Sequence, residues 1–422
     1  MIEKITDALR LENIENWIIS EHNVHSAEIF MIKKAEDMRR SKDVSSVSVT
    51  VFNDFEADGK KMRGSAGIIV YPGTEAAELR AKLRTAYISA SYVKNPYYEL
   101  PSCTKQALAY SGDTRDLFVI AEEMLSALYE PDNTGESFIN SAEIFASRTG
   151  VRTLTSAGTD VSYETLNVKG EFVVQCRQPQ DVETYVPFDY SSADTRSLSE
   201  LSARSLATVR DRALAANAPS GGEYDVILTD AHVETLLSAY LDKANAAMVF
   251  PGYSPYKPGL NIHSANVKGE KLSINVFSRE PFSEDGIPMP ERELLKDGCV
   301  CGIYGPTRFC RYLGLEPTGS YGCMNVKNGT AAFEALKNRK CIMPVVFSDF
   351  QCDALRGTFG GEIRLAYCFD GNGGVSLLTG GSINGSLTDK QDAFVFSKER
   401  YESATYSGPK AVLIPGVSVA GA

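Results

Sequence analysis

Apolar positions recur along the first 220 residues with two different periods, and their alternation predicts helices laid on a sheet. Ile2, Ile5, Leu9 and Ile14 keep near a 3.6-residue spacing and predict a helix over residues 1–21. Strands are expected at 27–32 and 44–52, the second with Val47, Val49 and Val51 alternating with Ser48 and Thr50, the period of a half-buried strand. Residues 67–71 read as a strand stopped by Pro72-Gly73, after which Thr74 can cap a helix to about Val93. The strongest helical stripe is Leu117, Ile120, Ala121, Met124, Leu125 and Leu128, which fall on one face. Four short strand-like runs follow between 137 and 177. The last pair, 161–168 and 171–176, is separated by Lys169-Gly170 as in a hairpin. A helix over 194–216 then turns Leu198, Leu201, Leu206, Val209 and Ala213 inward and stops at Asn217-Ala218-Pro219-Ser220-Gly221-Gly222.

Beyond that segment the pattern changes. Residues 224–228 read as a buried strand, Asp230 as a helix cap and 231–247 as a helix. Three prolines, Pro251, Pro255 and Pro258, make 251–258 a loop. Strand patterns then dominate, interrupted by a predicted helix at 330–338. Between 289 and 385 they are punctuated by Asp297-Gly298, Asp370-Gly371 and Gly373-Gly374, which offer the positive φ of tight hairpin turns, so an antiparallel sheet is expected there. The reading is α+β with two domains: an N-terminal domain of helices and sheet at 1–218 and a largely antiparallel β domain at 223–422. A chain of 422 residues exceeds one ordinary core, which agrees with two.

Charge and cysteine content narrow the partners. A net charge of −11 argues against non-specific affinity for nucleic acid, and the basic clusters Lys33-Lys34 and Arg39-Arg40 with Lys42 are interrupted by Glu36 and Asp37. Nine cysteines behind an amphipathic rather than apolar N-terminus lead us to expect a reducing, cytoplasmic location. No run approaches the ~20 apolar residues of a membrane-spanning helix, so no membrane contact is expected.

The residues that carry chemistry are sparse. His22 and His25 sit near the end of the predicted first helix with Glu21 adjacent and no third ligand in reach. Cys299 and Cys301 share one face of a predicted strand, where buried thiols outweigh a metal site because no second close pair exists. Gly380-Gly381-Ser382-Ile383-Asn384 approaches a nucleophile elbow but ends in asparagine and lacks the strand-to-helix setting, so Ser382 reads as a turn residue. The clusters Gly360-Gly361 and 371–374 lack the spacing and following helix of a nucleotide site. They suit hairpins, or close backbone approach by a peptide.

Several blocks in the last half of the chain do resemble a known family. Glu293-Leu294-Leu295-Lys296-Asp297-Gly298 and Leu313-Gly314-Leu315-Glu316-Pro317-Thr318-Gly319 are followed by Gly360-Gly361-Glu362-Ile363-Arg364-Leu365-Ala366-Tyr367 and Thr379-Gly380-Gly381-Ser382-Ile383. The closing block is Pro409-Lys410-Ala411-Val412-Leu413-Ile414-Pro415-Gly416-Val417-Ser418-Val419-Ala420-Gly421. Their order and spacing resemble the C-terminal domain of the TldD/PmbA family, whose members have been described as modulators of DNA gyrase and as peptidases. Active TldD-type members carry zinc on two helical histidines, with a glutamate beside the first and a cysteine near the C-terminus. Here the corresponding segment, Val226 to Tyr240, has His232 alone with Glu234, and Ser407-Gly408-Pro409 has no cysteine. At i and i+2 on a helix His232 and Glu234 diverge by about 200°, so they share no ligand, and a surface histidine is expected.

The resemblance therefore implies the PmbA branch, also called TldE. That means no catalytic residues and no metal in this chain, zinc in a TldD-type partner subunit, and unfolded peptides as substrate. Gly360, Gly361 and Arg364 are the residues expected to meet peptide, along exposed strand edges between 347 and 385. A stand-alone homodimer that binds peptide or regulates without proteolysis is the alternative. An autonomous cysteine or serine hydrolase is disfavoured, since no histidine accompanies a candidate nucleophile in a recognisable motif.

Overall fold

The structure is a computed structural model that describes residues 1–101 and 103–421. Its N-terminal domain runs α1 (Ile2–Leu11), β1 (Asn16–Ile32), β2 (Ala35–Ala57), β3 (Lys60–Val70), α2 (Ala76–Ala90), β4 (Lys105–Ala107), α3 (Leu117–Tyr129), β5 (Phe138–Thr155), β6 (Asp160–Cys176), β7 (Val182–Tyr190) and α4 (Thr195–Leu214). The C-terminal domain opens with β8 (Gly222–Thr229), α5 (Ala231–Lys243), α6 (Ala246–Val249), β9 (Ile274–Phe277), β10 (Arg292–Lys296), β11 (Cys299–Val300), α7 (Thr307–Tyr312), β12 (Cys323–Val326) and α8 (Phe333–Leu336). It continues with β13 (Lys340–Asp353), β14 (Thr358–Asp370), β15 (Val375–Leu378), β16 (Ser382–Ser386), α9 (Leu387–Lys390), β17 (Val395–Phe396), β18 (Arg400–Glu402), β19 (Tyr406–Pro409) and β20 (Ala411–Ala420).

Seven strands of the N-terminal domain form one sheet in the order β3-β2-β1-β5-β6-β4, with β7 on β6. One face is covered by all four helices: Leu79, Leu83, Ile5 and Leu9 pack on Ile19, Val49 and Val51, while Ile120, Met124, Leu198 and Val209 pack on Ile29, Ile144 and Val168. The stripe on α3 and the inward row on α4 are thus the core faces that periodicity predicts. On the opposite face Val151, Val161 and Tyr163 meet Phe282, so the C-terminal domain rests there. Arg279 to Asp189 (2.9 Å) and Tyr367 to Asp211 (2.6 Å) add polar ties between the domains.

Several expectations fail here. The first helix stops at Leu11, where Asn13 takes φ 56° and turns the chain into β1; the helical spacing of Ile14 belongs to the turn, not the helix. His22 and His25 therefore lie in a strand, three residues apart and on opposite faces, with His22 Nε2 on Ser20 Oγ (3.0 Å) and His25 on Asp43 (3.4 Å). The four short runs at 137–177 are two long strands of 18 and 17 residues, and Lys169-Gly170 is no turn. Gly170 pairs with Ile144 and Phe188 in mid-strand, and a Cβ there would sit 2.0 Å from Glu143 O and 2.7 Å from Phe188 Cζ. The helix at 231–247 breaks at Ala244, after which Asn245 caps α6 through the Ala247 N–H, and the helix at 330–338 shrinks to the four residues of α8.

The strands between 289 and 385 also divide between two sheets rather than forming one. The first has the order β11-β10-β9-β12-β19-β18. The second runs β13-β8-β20-β16-β14-β15, with β17 on β20, and closes on itself because β13 also pairs β14. Most ladders are antiparallel; β8 with β13 and β12 with β19 are parallel. The large core of this domain, with Val226, Leu236, Tyr240, Ile274, Met324, Ile363, Phe394 and Ile414, lies between the two sheets and α5.

Candidate functional site

The β8–α5 turn gathers the most unusual side chains of the molecule. Val226, Ile227 and Leu228 are wholly buried, so β8 drives straight into the core and must reverse sharply into α5. Asp230 makes that reversal at φ 52°, ψ −125°, a conformation that favours glycine. Its N–H donates to Lys410 O at 2.8 Å, but its side chain caps nothing, and Oδ1 is buried without a hydrogen-bond partner among the described residues. The expected cap is therefore absent, although Asp230 occupies the cap position. Burial raises its carboxyl above the ordinary range, offset only in part by Lys410 and Arg204.

The next side chains of α5 point in different directions, as a helix dictates. Glu234, one turn on, accepts hydrogen bonds from Ser403 Oγ (3.0 Å) and from Thr405 Oγ1. Beside it, burial, with help from Asp230 and Glu234, pushes the Tyr401 hydroxyl up to about 12. His232 turns the other way and stacks edge-on against Phe347 (4.8 Å) and Phe350 (5.5 Å) of β13. It is no surface histidine: burial pulls it down to about 4. Among the described residues no three His, Cys, Asp or Glu side chains converge as a group of metal ligands.

A consequence for acid stability follows. Because the folded-state value of His232 lies below its ordinary 6.5, protonation favours the unfolded chain, and stability is lost as pH falls from about 6.5 toward 4. Proton NMR should show the His232 ring titrating near 4, and His232→Phe should remove that part of the acid lability. A ring midpoint at 6.5 would mean that it is solvated.

The other sequence candidates are placed apart from this turn. His263 is buried with both nitrogens committed: Nδ1 to Asp392 Oδ1 (2.8 Å), while Nε2 accepts the Leu272 N–H (3.1 Å). The cysteines are free thiols; Cys301 Sγ reaches Glu293 Oε2 at 3.6 Å and burial pushes its pKa up. Gly360 and Gly361 lie inside the closed sheet, paired with Asn384 and Ile383 on one side and with Gln351 and Phe350 on the other. A Cβ would meet Ile383 O at 2.8 Å or Asp349 O at 2.6 Å, so these glycines admit neighbouring strands. The strand edge expected beside them is taken up by that pairing. Arg364 is exposed on the same strand, 3.3 Å from Glu362 Oε2. Ser382 is not the expected turn residue: the turn is made by Gly381 at φ 72°, and Ser382 opens β16, paired with Glu362 and Ala420. Asp230 escaped the sequence reading because aspartate before a helix ordinarily caps it; the apolar run of β8 ending abruptly at Thr229 was the available signal.

Comparison with known proteins gives this geometry its setting. Residues 221–421 match the family model of the PmbA/TldA metallopeptidase C-terminal domain. Among curated proteins none matches the chain. The fold as a whole is similar to the crystal structure of TldE from Thermococcus kodakarensis, with a TM-score of 0.78 at 14% identity, covering 99% of this chain and 100% of that one. A candidate modulator of DNA gyrase from Bacteroides thetaiotaomicron VPI-5482 gives 0.79 at 14% identity over 100% and 99%. Another from Thermotoga maritima MSB8 gives 0.77 at 15% over the full length of both. The second half of the chain thus carries the C-terminal domain of the PmbA/TldA metallopeptidase family, and the chain as a whole shares the fold of these three structures.

Proposed function

We propose that the chain is the TldE-like, zinc-free subunit of a TldD/TldE-type metallopeptidase system that acts on unfolded peptides in the cytoplasm. The observation that carries this reading is the first turn of α5. Its only histidine is neutral and packed on Phe347 and Phe350, and its only glutamate is held by Ser403 and Thr405. A helix that served zinc would need a second histidine on the face of the first and a free carboxylate for the bound water. Zinc chemistry belongs, in this reading, to a TldD-type partner.

This chain would supply walls of a channel that hold an extended peptide by backbone contacts, with Gly360 and Gly361 shaping the sheet and Arg364 with Glu362 offering the charged contact. A net charge of −11 supports peptide rather than nucleic acid as the ligand, and nine free cysteines support a reducing compartment. The test is elemental analysis of the purified chain, which should hold far less than one zinc per chain. Stoichiometric zinc that disappears on replacing His232 would refute the reading.

A further inference from the structure

The hairpin of β10 and β11 is splayed at its open end. Leu295 faces Val300 and Lys296 faces Cys299, and the last ladder bond runs from the Cys301 N–H to Leu294 O at 2.9 Å. Continued in the same register, the ladder would set Gly302 against Glu293 and Ile303 against Arg292. It does not continue, because Tyr304 is drawn to the α5–α6 junction: its N–H donates to Ala244 O (3.2 Å) and its hydroxyl to Leu241 O (2.8 Å). The slot left behind has a volume of about 290 Å³, near the lower end of ligand pockets at ~300 Å³. Val276, Leu294 and Tyr304 form its apolar lining.

Two groups in this slot lack partners. Successive N–H groups of an extended strand point to opposite sides, so with the Cys301 N–H on Leu294 O it is the Ile303 N–H that turns toward β10; it donates to nothing among the described residues, and a Cβ built on Gly302 meets nothing within 4 Å. Arg292 gives Nε to the Tyr321 hydroxyl at 2.9 Å, which orients the guanidinium while its two Nη nitrogens stay free of partners among the described residues. An unpaired strand donor calls for an extended backbone, and a fixed guanidinium fork calls for a planar carboxylate. Glu293, which also lines the slot, opposes a dianion such as phosphate.

We infer that this slot binds the C-terminal end of an extended peptide, its last residues pairing with the Ile303 N–H and its terminal carboxylate seated on Arg292. The inference rests on the reading that the chain handles peptides, and it names where the free end of one is held. It concerns binding by this chain alone, so it can fail while partner-dependent cleavage succeeds, and the reverse.

The experiment is fluorescence anisotropy of the whole chain with a fluorescein-labelled Ala/Val heptapeptide, as the free acid and as the C-terminal amide. The free acid should bind at least about 10-fold more tightly, the scale of one charge-assisted hydrogen-bonded pair. General electrostatics predicts the opposite order, because a chain of net charge −11 repels the added negative charge. Arg292→Gln, at an exposed position, should bring the acid down to the affinity of the amide. Equal binding of acid and amide to the unaltered chain would overturn the inference, as would displacement of the acid by inorganic phosphate as effectively as by unlabelled peptide.

Discussion

Asp230→Asn should make the chain more stable at neutral pH, because burial penalises the carboxylate and the amide that replaces it carries no charge. Asparagine has nearly the same shape and keeps the N–H that donates to Lys410 O, so the change isolates the charge. Charged or titratable groups near the carboxyl are Lys410, Arg204, Glu234, Tyr401 and Tyr406, and none bonds Oδ1. The sign follows from linkage. A carboxyl whose folded-state value is raised is protonated in the folded chain and ionised in the unfolded one over the interval between the two values. The folded state then binds the extra proton, so stability falls as pH rises through that interval and stays reduced above it. The difference between variant and parent should accordingly be largest at neutral pH and close toward the unfolded value near 4. Thermal unfolding of both proteins from pH 4 to 8 measures it. A variant less stable at neutral pH would mean that the carboxylate is paired with Lys410 or Arg204 after all.

Much of the fold was legible because periodicity reports which face is buried. The stripe on α3 and the inward row on α4 place both helices, and the alternation of Val47, Val49 and Val51 places β2. What failed was reading of single residues whose meaning depends on distant neighbours. Lys169-Gly170 spells a turn, yet Gly170 is needed because the Phe188 ring and the Glu143 carbonyl occupy the space a side chain would fill. His232 looks exposed on a helical wheel, and only the return of β13 brings Phe347 and Phe350 over it. The same closure, β13 on β14, removes the open edge that glycine-rich strands suggested around Gly360 and Gly361. The family blocks from Glu293 onward were readable because each is a short local string, part strand and part turn, at a fixed distance from the next. The orphaned oxygen of Asp230 was not, because it follows from the burial of β8.

The largest effect expected of this protein is one of activity. Peptide hydrolysis by water needs an activated nucleophile, and general-base assistance alone contributes ~10²–10⁴-fold. In this chain Glu234 is tied to two hydroxyls, His232 is packed among rings, both nitrogens of His263 are spent on Asp392 and Leu272, and His22 bonds Ser20. Alone it should cleave an unfolded peptide no faster than buffer. The decisive measurement is cleavage of one unfolded peptide by this chain, by a TldD-type protein from the same source, and by the two mixed. The account predicts that the mixture exceeds the sum of the separate rates by at least about 100-fold and that chelation abolishes the gain. Cleavage by this chain alone that survives chelation and is lost on a single cysteine or serine substitution would contradict it.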